Sequence, residues 1–313
     1  MILSVSRRTD IPNYFSEWFL NRLKDGYLYV RNPMNLHQIS CVPLSPDVVD
    51  CIVFWTKNPK PLLAGLRELD QYSYYFQFTL TGFGRDIEPQ IPDKKTVLIP
   101  VFQRLSEKIG KERVIWRYDP ILFTAKYTPK YHLKAFEQIA KNLRGYTLKC
   151  VVSFVDVYLK NQKNLKACRS YSLSESQLIS FAAALAQIAG ENDMKVATCA
   201  EKLDLSSCGI EQNCCIDQKL IERIVGCKIK AGKDKNQRET CGCLESVDVG
   251  AYHTCKNGCI YCYANGSPKT VVRNGSLYDV HSPLLCGRIT ESDKITVKKV
   301  TSWKERQLSI WDL

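Results

Sequence analysis

The chain has 313 residues, of which 45% are hydrophobic, and this is enough to bury the core of one large domain or of two smaller ones. Its formal net charge of +12 favours a polyanionic partner or a small anionic molecule, although dispersed lysines are also typical of an ordinary solvated surface. No run approaches the roughly 18 apolar residues of a membrane span, and the N-terminus becomes polar too soon for a secretory signal. We therefore expect a globular cytoplasmic protein that does not interact with a membrane.

The first two hundred residues alternate β-rich runs with helical patterns, as in parallel strands joined by helical crossovers. The predicted strands are 2–6, 27–31, 50–56, 74–81, 113–118, 149–155 and 195–199, with a weaker one at 294–300. The predicted helices are 14–25, 129–143, 174–190 and 217–225. This order predicts an α/β fold, a TIM-like βα barrel that is partial or complete, over residues 1–202. Residues 203–313 are predicted to form a cysteine-rich cap packed on the barrel mouth.

The predicted strands end in polar or charged residues, Arg31 among them, and the carboxyl ends of barrel strands converge on one face that carries the active site. The candidates for catalysis on that face are Arg7, Arg8, Asp10, Arg117, Asp119 and Glu201. The candidates for binding a cofactor or substrate are Thr56, Lys57, Asn58, Gln77 and Ser153. Arginine can grip a carboxylate or phosphate with its planar fork, and the neutral groups can hydrogen-bond a ribose or substrate. Any one of these residues could instead pair with a neighbour or cap a helix.

Most of the fifteen cysteines lie between residues 199 and 286, and such crowding in a long chain indicates metal ligation in a reducing compartment. Cys255, Cys259 and Cys262 have the spacing C-x-x-x-C-x-x-C, and Gly258 allows a sharp turn between them. Three thiolates on one tight loop can hold a [4Fe-4S] cluster while one iron stays free of cysteine. Tyr261 could pack against the adenine of a cofactor or simply shield the cluster.

A second group of thiols could ligate another metal. It consists of Cys199, one of the adjacent pair Cys214 and Cys215, Cys241 and Cys243. Four thiolates suit an auxiliary iron-sulfur cluster or a structural zinc ion, although the spacing matches none of the familiar cluster motifs.

The run C-K-N-G-C-I-Y-C-Y-A at residues 255–264 resembles the signature of radical S-adenosylmethionine enzymes, and its G-C-x-Y-C-Y-A core is similar to that of spore photoproduct lyase relatives. Motifs over nearly the whole chain, among them S-V-S-R-R-T-D-I-P and V-F-W-T-K-N-P, resemble the family termed domain of unknown function 1848. The first resemblance implies reductive cleavage of S-adenosylmethionine, a small-molecule substrate and an electron donor such as flavodoxin or ferredoxin. Two features depart from it: the cysteine loop follows the last predicted barrel strand rather than the first, and the chain has no G-G-E motif.

A function of another class stays open, that of a zinc-stabilised nucleic-acid-binding protein without radical chemistry. In such a protein the cysteines would be structural and the positive charge would contact phosphate. It would be colourless and contain zinc without iron. The sequence shows no recognisable nucleic-acid-binding module and no interleaving of basic with aromatic residues.

Overall fold

The computed structural model describes residues 1–238 and 240–305. In this part of the chain the strands are β1 (Ile2–Val5), β2 (Tyr27–Arg31), β3 (Gln38–Pro43), β4 (Cys51–Thr56), β5 (Tyr74–Thr79), β6 (Val114–Ile121), β7 (Lys149–Phe154), β8 (Lys195–Cys199), β9 (Glu211–Asn213), β10 (Val247–Asp248) and β11 (Lys294–Val297). The α-helices are α1 (Ile11–Tyr14), α2 (Ser16–Asp25), α3 (Ile99–Ile109), α4 (Pro129–Leu143), α5 (Gln162–Ala167), α6 (Glu175–Gly190), α7 (Gln218–Val225) and α8 (Pro268–Gly275).

The main sheet has the strand order β10-β1-β4-β5-β6-β7-β8-β9, and its neighbouring strands are parallel. The prediction of an α/β fold with parallel strands is thereby confirmed. Within residues 1–238 and 240–305 the edge strands β9 and β10 do not pair with each other, so the sheet is open rather than a closed barrel. All carboxyl ends of its strands meet at one edge, where a site can form.

The predicted strand at 27–31 exists, but it lies outside the main sheet. As β2 it pairs antiparallel with β3, and β11 pairs parallel with β3 on the other side. The physical reason is its side-chain pattern, since β2 is half-exposed along most of its length whereas a central parallel strand such as β4 is buried. The expectation that Arg31 faces the mouth is therefore wrong, and Arg31 instead forms an ion pair with Asp293 at 2.6 Å.

Helices α4 and α6 begin at strong N-caps that their sequences encode. The side chain of Thr128 accepts a hydrogen bond from Tyr131 N, and Ser174 forms a capping box with Gln177. The apolar face of α4 then packs on the sheet, where Phe136 stacks on Trp116 of β6 with the ring centroids 4.7 Å apart. Such packing fixes the strands whose carboxyl ends carry the polar side chains.

The region after residue 202 supplies both edge strands of the main sheet, β9 and β10, and also β11 of the small sheet. The domain boundary at residue 202 stays a prediction. In the part of the chain that the structure describes, no helix is both long and apolar enough to cross a membrane.

Candidate functional site

Two adjoining cavities lie at the carboxyl ends of the main-sheet strands. The large cavity has a volume of about 440 Å³, and its wall includes the predicted residues Arg7, Lys57, Arg117, Asp119, Ser153 and Tyr261. The small cavity, of about 150 Å³, is lined by all three cysteines of the cysteine loop, residues 255–262. Arg7, Lys57 and Tyr261 line both cavities, so the two cavities share part of their walls.

Asp10 fastens the cysteine loop to the loop that follows β1. Its buried carboxylate accepts hydrogen bonds from Thr56 Oγ1 at 2.6 Å, from Lys57 N at 2.9 Å and from Asn257 Nδ2 at 3.1 Å. It also caps α1 by accepting from Asn13 N at 3.2 Å. Both carboxylate oxygens of Asp10 are occupied by these donors, so Asp10 and Thr56 connect the loops, and both residues also line the small cavity.

Glu88 forms the second attachment of the cysteine loop. This buried carboxylate lies 2.7 Å from Lys57 Nζ and 2.6 Å from Lys94 Nζ, and it accepts hydrogen bonds from the hydroxyls of Thr81 and Tyr261. Burial alone would raise the pKa of Glu88, but the two ammonium groups outweigh burial and lower that pKa to about 2. The carboxylate is therefore ionised and holds Tyr261 in place.

The ring of Tyr261 is the part of this residue that a ligand can contact. The hydroxyl is committed to Glu88, the side chain is 8% exposed, and Lys57 Nζ lies 5.6 Å from the ring centroid. The ring of Phe83 covers it from another side, with the centroids 5.8 Å apart. This position is compatible with both predicted roles, packing against a cofactor and shielding a cluster.

The backbone of the cysteine loop is tied to two further segments. Ile260 N donates to Ile87 O at 3.1 Å, and Asn161 Nδ2 donates to Tyr261 O at 3.0 Å. Gly258 has a φ of 69°, in the left-handed region that glycine adopts without strain. The loop is thus held in one conformation by contacts along its length.

The three thiols of the cysteine loop are partly buried and unpaired with other sulfurs. Burial raises the pKa of each thiol, that of Cys255 to about 12, while the ammonium of Lys57 acts in the opposite direction on Cys259 and Cys262. Among the described residues, no group of three or more His, Cys, Asp or Glu side chains has an arrangement that could hold a metal ion as it stands.

Three buried polar atoms beside these thiols have no hydrogen-bond partner within the described residues. They are Arg7 Nη2, Thr9 Oγ1 and Asn265 Oδ1, and all three residues line the small cavity. Buried polar groups are nearly always paired, so such a concentration indicates a place for a polar ligand. Arg7 is otherwise held by the ring of Trp55, 5.2 Å from its guanidinium carbon, and by Asp234 at 3.6 Å.

Arg117 organises the opposite wall of the large cavity. Its Nη1 donates to Cys215 Sγ at 2.8 Å and to Gln77 Oε1 at 3.3 Å, and its Nη2 pairs with Asp119. Ser153 donates to the same aspartate, and Gln77 Nε2 donates to Cys215 O at 2.8 Å. The structure therefore brings four of the predicted strand-end residues together, with Gln77 serving as a support rather than as part of the wall.

The other predicted residues lie farther from the large cavity. Arg8 lines only the small cavity and lies 3.9 Å from Asp248. Asn58 is buried, and Glu201 accepts a hydrogen bond from Phe154 N at 2.8 Å. Neither Asn58 nor Glu201 is among the described residues that line the two cavities. Burial raises the pKa of Glu201 to about 7.

Four of the five thiols predicted for a second metal line the large cavity: Cys199, Cys215, Cys241 and Cys243. Cys214 lies outside this group, and its sulfur is directed at Gly242, 2.6 Å from where a Cβ would stand on that glycine. Cys214 is therefore near these thiols without lining the large cavity, and Cys215 is the member of the adjacent pair that does line it.

Sequence reasoning missed three residues that the structure places in the site. Trp55 contacts the guanidinium groups of both Arg7 and Arg117, whose guanidinium carbons lie 5.2 and 5.3 Å from its ring centroid. Glu88 lies in a loop without a recognisable motif, and no signal pointed to it. Asn257 lies within the cysteine motif, between Cys255 and Cys259. Its position between two predicted metal ligands was the one signal that could have identified it as a site residue.

A family model described as "Domain of unknown function (DUF1848)" matches residues 2–264. The match spans the ends of the main-sheet strands, the whole cysteine loop and the lining of both cavities except Asn265, and it confirms the resemblance to this family. No curated protein matches the chain.

Proposed function

Because the chain belongs to the family described as domain of unknown function (DUF1848), whose description assigns no reaction, we propose a function from the site itself. The protein is an iron-sulfur enzyme of the radical S-adenosylmethionine type, built on a partial βα barrel. The observation that carries this proposal is that Cys255, Cys259 and Cys262 line one small cavity, which adjoins a larger one at the strand ends.

The donor set fits a cluster better than a single ion. Thiolate is the ligand that iron-sulfur clusters take, and a cluster presents its iron atoms at separate points. Its cysteines therefore need not converge on one point, and the three thiols of the cysteine loop line one cavity. The ammonium of Lys57 lies close enough to Cys259 to offset part of the negative charge of the ligated loop.

When bound, a four-iron cluster with one iron free of cysteine would supply an electron to the sulfonium of S-adenosylmethionine and so cleave a carbon-sulfur bond. The unpartnered Nη2 of Arg7 offers a donor for a carboxylate in the small cavity. The unpartnered oxygens of Thr9 and Asn265 offer acceptors for an ammonium group or a ribose hydroxyl. Asp10 and Glu88 hold the loop in position for both contacts.

The large cavity is the place for a small-molecule substrate. Its wall combines the aromatic rings of Trp55 and Tyr158 with the charged groups of Arg117 and Asp119, so it can hold a molecule with both apolar and polar parts. An electron donor such as flavodoxin or ferredoxin would first reduce the cluster and so supply the electron for the cleavage.

The test is anaerobic purification with iron and sulfide analysis, followed by chemical reduction with S-adenosylmethionine and assay of 5'-deoxyadenosine. We expect iron, sulfide and deoxyadenosine from the wild type and from Cys227→Ser, a control whose thiol lies outside both cavities. Cys259→Ser should lose the deoxyadenosine and the iron of this cluster. Zinc without iron in the wild type would overturn the proposal and favour the structural alternative. Iron-loaded protein that forms no deoxyadenosine would overturn the radical cleavage alone.

A further inference from the structure

A seam separates the two edge strands of the main sheet, and four thiols lie in contact beside it. These seam thiols are Cys199, Cys215, Cys241 and Cys243. As they stand, the seam thiols do not converge on one point. We propose that they close on a second metal centre, fully ligated by four thiolates, which fastens the two edges of the sheet together. This goes beyond the proposed function, which uses only the cysteine loop.

The first argument is the mutual contact of the sulfurs. Cys199 Sγ and Cys215 Sγ lie 2.9 Å apart. Cys243 lies within hydrogen-bond reach of Cys215 on one side and of Cys241 on the other, so the four thiols form a continuous row. Four cysteines from three separate segments do not meet by local sequence, and four soft sulfur donors are the ligand set of zinc and of iron-sulfur centres.

The second argument is the position of these segments across the seam. Cys199 ends β8 and Cys215 follows β9, while Cys241 and Cys243 precede β10. The two sides already approach each other, because Leu244 N donates to Ile216 O at 3.1 Å and Ile216 N donates to Cys243 Sγ at 3.4 Å. A metal with ligands on both sides would supply the cross-link that strand pairing does not supply here.

The third argument is the charge that surrounds the row. Four thiolates around a divalent ion, or around a doubly positive cluster core, carry two net negative charges. Two guanidinium groups face them: Arg117 Nη1 donates to Cys215 Sγ at 2.8 Å, and Arg7 lies within electrostatic range of Cys215 and Cys243. Donors of this kind are the usual partners of metal-bound sulfur.

Zinc and an iron-sulfur cluster share this chemistry, since each takes four thiolates and releases the thiol protons to solvent on binding. The experiment compares Cys215→Ser with its sequence neighbour Cys214→Ser in the full chain, purified anaerobically, by counting zinc, iron and sulfide. We expect Cys215→Ser to lose metal and Cys214→Ser to keep the wild-type content. Loss of one zinc per chain identifies a single ion, and loss of about two or about four iron with an equal amount of sulfide identifies a cluster.

A second measurement separates this site from the cysteine loop and guards against misfolding. Cys259→Ser should retain the seam metal. If the wild type holds no iron at the cysteine loop but Cys215→Ser still loses metal, the proposed function is wrong and the seam site is supported. Hydrogen exchange in Cys215→Ser, and in Cys241→Ser as a second variant, should increase in segments 211–216 and 243–248. Equal metal content in Cys215→Ser and Cys214→Ser would overturn the inference. So would a Cys199–Cys215 disulfide, found by mass spectrometry of unreduced protein.

Discussion

Asn257 Nδ2 donates a hydrogen bond of 3.1 Å to the carboxylate of Asp10, across 247 positions of sequence. The same asparagine accepts a hydrogen bond from Tyr14 OH at 2.9 Å. One buried amide therefore connects the loop after β1 to the cysteine loop near the other end of the family match. The small cavity depends on this connection because most of its lining residues come from these two loops and the residues next to them.

Replacing Asn257 with alanine should destabilise the fold by about 1–3 kcal/mol, because Tyr14 loses its acceptor and Asp10 loses one donor in a buried setting. Chemical denaturation would measure this change, and iron content after gel filtration would report a loosened loop. Asn142→Ala is the control, since Asn142 is exposed on α4 and should change stability by less than about 0.5 kcal/mol. Equal losses in both variants would contradict the anchoring role.

Replacing Glu88 with glutamine should cost about 3–5 kcal/mol of unfolding free energy, because it leaves the partly buried ammonium groups of Lys57 and Lys94 without their counter-charge. Denaturant unfolding at neutral pH would measure it. The matched control is Glu137→Gln on α4, which removes an exposed ion pair with Lys141 and should cost at most about 0.5 kcal/mol.

The same substitution makes a prediction about acid stability. The folded-state pKa of Glu88 is lowered to about 2, below its ordinary value of about 4.3, so the contribution of this carboxylate is fully present above the ordinary value. It is lost as the pH falls from there through about 2. The wild type should therefore lose stability more steeply in that window than Glu88→Gln, and parallel curves would contradict the ion cluster.

The elements that could be predicted from the sequence are those with local signals. The predicted bounds of α4 agree with the structure because Thr128 caps it and Pro129 starts it, and buried runs such as β4 are typical of parallel strands. Strands β9 and β10 escaped prediction because three and two residues are too short for a periodic pattern. Because β9 and β10 were not predicted, the sequence could not show that the second group of thiols lies beside the seam between the two edge strands.

The site residues also fall into those that could be predicted from the sequence and those that could not. Arg7 and Arg117 could be predicted at the mouth because the carboxyl ends of parallel strands must meet. Glu88 could not, since its partners Lys57 and Lys94 come together only when loops fold onto one another. The sequence also could not show that Cys215 rather than Cys214 joins the seam thiols, because the direction of a side chain in an irregular segment is set by tertiary contacts.

Gly258→Ala should destabilise the protein by about 1–2 kcal/mol, because φ at this position is 69° and a left-handed backbone is costly for a residue with a Cβ. The added carbon would also lie 3.2 Å from Pro89 Cγ, which is a tight contact. Thermal unfolding and iron retention would measure the effect. Gly190→Ala is the control, since it ends α6 in open space and should be neutral or slightly stabilising.

Glu201→Gln should flatten the pH dependence of stability near neutrality. Burial raises the pKa of Glu201 to about 7, helped by the negative charges of Asp156 and Asp119 and opposed by the hydrogen bond from Phe154 N. Because this folded-state value lies above the unfolded value of about 4.3, the contribution of Glu201 is present below the unfolded value and is lost as the pH rises through about 7.

Glutamine keeps an oxygen that can accept from Phe154 N, so the variant removes the titration and preserves the hydrogen bond. The free energy of unfolding, measured from about pH 5 to about pH 8, should therefore fall more in the wild type than in Glu201→Gln. Glu191→Gln, at an exposed position after α6, should follow the wild-type curve. If the free energies of unfolding of the wild type and Glu201→Gln differ by a constant amount over this range, Glu201 is ionised throughout. Burial beside β7 and β8 then does not keep it protonated.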